Sequence, residues 1–133
     1  MRRDSREAVY KILYAELFNP EQDAQFEQFI FDEQGLNEED RSFANLLLSK
    51  IRENKDEINE IITSYAKGYE YSRIYSTDKC ALTLAVCEIK YFDEIPSVVS
   101  IDEALFLVRK YSTEESLNFV NGILAAFKKN LEV

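Results

Sequence analysis

The stretch IPSVVSIDEALFLVRKYSTEESLNFVNGILAAF, residues 95–127, decides the fold of this chain. Its apolar residues do not alternate; they recur three and four apart, the spacing of one face of an α-helix. Leu117, Val120, Ile123, Leu124 and Phe127 form such a face, and Thr113 supplies an N-cap ahead of Glu114 and Glu115, whose charge suits the helix dipole. Before it, Pro96 falls in a loop, and Ser100 with Glu103 has capping-box spacing ahead of Ala104, Leu105 and Val108. Two consecutive helices are predicted. In the second, Gly122 sits mid-helix at a cost of about 1 kcal/mol relative to Ala. Close helix packing there, with Asn121 bonded to a loop carbonyl, is the expected reason.

The same periodicity runs outward to the N-terminus. Thr77 caps a helix carrying Leu82, Ala85, Val86 and Ile89, preceded by an aperiodic aromatic loop, YEYSRIYS, at 69–76. A fourth helix presents Ile58, Ile61, Ile62 and Tyr65 and ends at Gly68; a third, capped by Asn37, presents Phe43, Leu46, Leu47 and Ile51. The second is predicted from Asn19 as N-cap and Pro20 at the first helical position, through Phe26, Phe29 and Ile30, to Gly35. The first spans 5–18, with Asp4 and Glu7 in a capping pattern and Ala8, Val9, Ile12, Leu13 and Leu17 as its stripe. With only 3 Gly and 2 Pro, the chain lacks the turn signals an all-β fold needs. The reading is all-α, six to seven helices over 1–133 as a single domain, since 133 residues leave no room for a second full core.

Composition narrows the chemistry. Histidine, the commonest general base and metal ligand, does not occur. Cys80 and Cys87 stand seven apart in a helical segment, too far to bridge each other and too few for a zinc site, so buried inert thiols are expected. Glu88 and Glu103 lack an accompanying nucleophile or glycine-rich loop; capping suits Glu103 and a structural bond suits Glu88. No catalytic residue, cofactor or metal site is expected. Nothing in the sequence has the apolar length of a signal peptide or a membrane span, which predicts a cytoplasmic protein with no membrane partner.

The net charge of −9 is unevenly placed. Residues 1–13 set Arg2, Arg3, Arg6 and Lys11 against only Asp4 and Glu7, whereas residues 14–60 are strongly acidic. Any nucleic-acid binding must therefore be local and salt-dependent. Arginine makes bidentate phosphate contacts and stacks on bases, so Arg2, Arg3 and Arg6 are the candidates, against a plain alternative of a disordered basic start.

Four stretches, in order, resemble the NusB family: RRDSREAVYKILY at 2–14, DRSFANLLLSKI at 40–51, DKCALTLAVCEI at 78–89 and the opening stretch at 95–127 with its F-V-N-G. The resemblance covers nearly the whole chain. It implies a non-catalytic fold of two small packed helical bundles. It also implies binding of boxA-type single-stranded RNA, together with NusE (a small-subunit ribosomal protein), within the RNA polymerase antitermination complex on ribosomal operons. Carried onto this sequence, it makes Arg2, Arg3, Arg6, Ser116 and Phe119 RNA contacts. Tyr14 and Asp78 become the partner-binding residues. Without it, Phe119 reads as an edge-of-core ring, Asp78 as a dipole acid and Tyr14 as a half-buried tyrosine. The chain departs from the pattern at Thr83, where an arginine is usual, and at Asp102, Phe106, Ser112 and Asp4. Its acidity also motivates a second reading, a protein-interaction module of the same fold that has lost RNA binding. The fold occurs too as the RNA-binding part of some RNA cytosine methyltransferases, but a chain of this length is expected to hold no cofactor domain.

Overall fold

A computed structural model describes residues 1–132. It contains seven α-helices and, among the described residues, no strand. The chain divides into two compact units, residues 1–49 and residues from 50 on.

The first unit holds α1 (Arg2–Phe18), α2 (Ala24–Glu33) and most of α3 (Glu38–Glu53). Ala8, Val9, Ile12, Phe31, Ala44 and Leu47 are fully buried, as the stripes at 3.6-residue period require. Polar bonds lock the helix ends. Ser5 Oγ donates to the Asp40 carbonyl at 2.9 Å, and Asn37 Oδ1 accepts from Asp40 N at 2.8 Å, the predicted cap of α3. Lys11 Nζ reaches Gln34 Oε1 at 2.7 Å, and Gln34 Nε2 reaches the buried Glu7 at 3.3 Å, pinning α1 to the end of α2. Gly35, just beyond, takes φ +68°, the left-handed conformation that ends many helices.

Two helix starts in this unit differ from the sequence reading. Helix α1 begins at Arg2 rather than at residue 5, without a side-chain cap; Glu7 bonds Gln34 instead. Asn19-Pro20 does not start α2. Asn19 Oδ1 accepts from Glu21 N at 3.3 Å in a turn, and Asp23 is the N-cap, accepting from Phe26 N at 3.0 Å. Both Asn and Asp favour such local bonds, and Asp23 lies next to the apolar run that needs a helix. Leu46 and Leu17, expected in the core stripes, are 49% and 42% exposed. Leu48 is buried instead of Leu46, on the inward face that also carries Phe43, Ala44, Leu47 and Ile51.

The second unit is built around α5 (Ser76–Tyr91), which packs on α4 (Lys55–Tyr65), α6 (Ser97–Tyr111) and α7 (Glu114–Leu131). Helix α5 is apolar nearly all round, from Cys80 and Ala81 through Leu84 to Ile89, because neighbours cover most of its surface. The aromatic segment before it is a loop containing one 3-10 turn, Tyr71–Arg73. Thr113 caps α7 as predicted, accepting from Ser116 N at 3.2 Å. Ser100 does not cap α6. The helix starts earlier, after Pro96, which pre-sets the entering backbone, so Ser100 lies inside it. Its buried hydroxyl donates to Glu88 Oε1 at 2.9 Å, the structural bond expected of Glu88. Asn121 and Gly122 also differ from expectation: both are exposed, and a Cβ built on Gly122 meets nothing within 4 Å. Helix packing does not account for that glycine.

Candidate nucleic-acid interface

The predicted site residues fall on both units, and each unit places its own. Starting α1 at Arg2 puts the arginines on an ordered helix, so the disordered-start alternative fails. Four residues apart, Arg2 and Arg6 share a helical face, and both guanidinium groups lie over the Phe43 ring, at 4.3 and 5.4 Å from its centroid. They are not equivalent. Arg2 and Arg3 are exposed, whereas Arg6 is only 6% exposed and Phe43 is buried beside it. At the other end of α1, Tyr14 is 39% exposed and its ring contacts Phe18, with centroids 5.1 Å apart. Phe18 and Leu17 are exposed as well, so this helix ends in an uncovered apolar patch.

In the second unit, Asp78, Ser116 and Phe119 line one cavity of about 240 Å³. Two of its lining residues, Asp78 and Ser116, belong to a hydroxyl network whose proton order follows from one hydrogen per hydroxyl. Thr77 donates to Ser112 Oγ (3.2 Å), and Ser112 donates to Asp78 Oδ1 (2.8 Å). Thr113 donates to Ser116 Oγ (3.2 Å), and Ser116 donates to Asp78 Oδ2 (2.7 Å). Asp78 is thus buried at 2% exposure with both oxygens occupied. Its carboxylate ties the start of α7 to the start of α5 rather than reaching into solvent. Ser116 is equally buried and serves the same network. Phe119 is half-buried and braced edge-to-face by Tyr69, with ring centroids 5.2 Å apart and planes at 67°.

The other walls were not singled out from the sequence. Tyr69, Arg73 and Tyr75 come from the loop before α5, and Glu115 from the first turn of α7. The signal was present in YEYSRIYS, whose three tyrosines and one arginine carry no helical period to bury them. The cavity thus combines aromatic faces, one guanidinium and an acidic rim, the surface chemistry that stacks and hydrogen-bonds an unpaired base.

Elsewhere the chemistry is quiet. Among the described residues no cluster of three or more metal-ligating side chains forms, and no helix is long and apolar enough to cross a membrane. Cys80 and Cys87 are buried free thiols, and burial first, then the neighbouring Glu88, pushes Cys87 up to about 12.

The chain matches the NusB family over residues 3–129. It is 37% identical over 130 residues to the transcription antitermination protein NusB of Acetivibrio thermocellus, covering 96% of this chain and 88% of that one. Among solved structures it is similar to T. maritima NusB, at 32% identity with a TM-score of 0.86, covering 97% of this chain and 91% of that one. It also has the fold of a chain in the complex of the antitermination factors NusB and NusE with double-stranded RNA, at 24% identity, TM-score 0.87, covering 97% and 96%. With a family match over nearly its full length and the same helical architecture, this chain belongs to the NusB family.

Proposed function

We propose that this protein is a non-catalytic transcription antitermination factor. In this reading it binds boxA-type single-stranded RNA jointly with the ribosomal protein NusE and acts with RNA polymerase on ribosomal RNA operons. The observation that carries the reading is the family's F-V-N-G stretch placing Phe119 at an open cavity with exposed aromatic and arginine side chains around it. Arg2 and Arg3, exposed on the first turn of α1, supply the phosphate contacts, and Arg6 shares the Phe43 ring with Arg2. Ser116 and Asp78 act by holding the start of α7, and with it Phe119, in position. The NusE-binding surface contains Tyr14 and its exposed apolar neighbours. Excess acid on this chain favours a basic ribosomal partner and speeds encounter.

The test is fluorescence anisotropy with a labelled boxA-like strand at several salt concentrations, with and without the cognate NusE-like protein. Binding that strengthens with the partner and weakens with salt supports the reading. Association with the partner but no RNA binding by either chain or pair favours the acidic interaction module, whose motivation is the net charge of −9. Calorimetry of Tyr14→Ala against the same partner checks the protein face; undiminished heat and affinity would remove Tyr14 from it.

A further inference from the structure

We propose that the outer face of α2 is a docking site for a lysine- and arginine-rich helix of a protein partner, seated on Phe29. Neither Tyr14 nor any residue assigned to RNA lines this face, so it stands whether or not the RNA-binding reading does.

The sequence places Phe26, Phe29 and Ile30 in the apolar stripe of α2, but the first unit covers none of the three completely. Phe31 is the one residue of the helix that is fully buried. Two residues along a helix is a turn of about 200°, so Phe29 projects from the opposite side, and it is 57% exposed. Beside it lies an open groove of about 430 Å³ lined by Ala24, Gln25, Gln28, Phe29 and Asp32. These residues form two rows at four-residue spacing, Ala24–Gln28–Asp32 and Gln25–Phe29. Such rows are the ridges of a helix surface, and the groove between them takes a ridge of another helix. With Phe29 as the anchor, the surface fits a helix that lays an apolar side chain against the ring. The helix is 10 residues long, about 15 Å, which suits a small and transient contact.

Charge then selects the partner. Between Lys11 and Arg41 the chain contains no lysine or arginine, whereas α2 and its approach carry Glu21, Asp23, Glu27, Asp32 and Glu33. Arg41 answers one of them: its guanidinium donates to Asp32 Oδ1 at 2.6 Å and to Gln28 Oε1 at 2.9 Å, fixing one side of the groove. Glu21 and Glu33 are exposed, and among the described residues neither carboxylate has a hydrogen bond or an ion pair. A phosphate backbone or an acidic segment is repelled from such a rim, and a segment bearing lysine and arginine is drawn to it. An aromatic anchor at the centre with charge at the edge is the division of labour that protein interfaces use.

The probe is a fluorescein-labelled helical peptide of lysine, arginine and alanine with two leucines four residues apart, titrated with the full chain by fluorescence anisotropy. One control has the same composition with the leucines on opposite sides of the helix; the other has glutamate in place of every base. The aligned peptide should bind about tenfold tighter than the split one, its binding should weaken as salt rises, and the glutamate peptide should not bind. Phe29→Ala should bring the aligned and split peptides within about twofold of each other, and Glu33→Gln should lessen the salt dependence. Both side chains are exposed, so stability and RNA binding should stay at the parent's level. Equal binding of the aligned and split peptides, or an unchanged ratio in Phe29→Ala, overturns the site. Weaker binding of the NusE-like protein by Phe29→Ala overturns it as well, because the face would then belong to the ribosomal partner's surface. A parent chain that self-associates in sedimentation, with Phe29→Ala monomeric, would make a second copy the occupant and overturn the basic helix.

Discussion

Ser116 Oγ donates to Asp78 Oδ2 at 2.7 Å, joining the third residue of α7 to the third residue of α5. One bond thus links a residue expected to contact RNA with one expected to contact a protein partner, and both are buried. Asp78→Ala strips Ser112 and Ser116 of their acceptor. A buried hydroxyl left unsatisfied costs about 1–3 kcal/mol, so urea denaturation should show a loss of at least that order. Asp78→Asn, which keeps one acceptor oxygen, should lose less. Equal stability of Asp78→Ala and the parent would show that the network contributes nothing.

The arginines of α1 should separate into two classes. Arg2→Ala and Arg3→Ala should each lower the salt slope of single-strand binding by about 0.7 and leave stability near the parent's. Arg6→Ala should act on stability instead, because its guanidinium is buried over Phe43 and its stem packs there. Urea titration alongside anisotropy at several salt concentrations checks both. An Arg6→Ala protein that keeps its stability but loses a unit of salt slope would reverse the assignment.

Phe119→Ala should weaken RNA binding by about 1–3 kcal/mol with little change in salt slope, since stacking releases no counterions. It also removes the edge-to-face contact with Tyr69. The two effects are distinguished by Phe119→Leu, which fills the space and cannot stack: binding should stay weak while stability recovers.

Gly122→Ala should stabilise the protein by about 0.5–1 kcal/mol, the difference in helix propensity, because the added methyl meets open space. A thermal melt decides it. Unchanged or lower stability would mean that α7 is strained at this position in a way its backbone does not display.

Neither thiol should react with iodoacetamide in the folded protein at pH 8, and both should react in denaturant. Burial holds Cys87 up at about 12, so almost none of it is thiolate there. The sign for stability follows. With the folded value above the ordinary 9.0, the contribution of Cys87 is fully present below pH 9 and is lost as pH rises toward 12. Urea midpoints measured at rising alkaline pH should fall in the parent and fall less in Cys87→Ala.

The amino-acid sequence by itself determined the elements that long periodic apolar stripes define. Residues 95–127 announced two helices, and the caps at Asn37 and Thr113 are where local side-chain chemistry puts them. Caps whose residues had competing partners were decided by tertiary structure. Ser100 found a buried carboxylate from another helix, and Glu7 found Gln34, bonds between residues far apart in the chain that no local pattern contains. The same holds for the candidate site. Phe119 was legible from a motif, and the arginines from charge, but periodicity could not tell exposed Arg2 from buried Arg6, because that depends on where Phe43 lies. Tyr69, Arg73 and Tyr75 stood in plain view without a period to interpret. Only the packing of their loop beside α7 turned three unassigned side chains into the wall of a cavity.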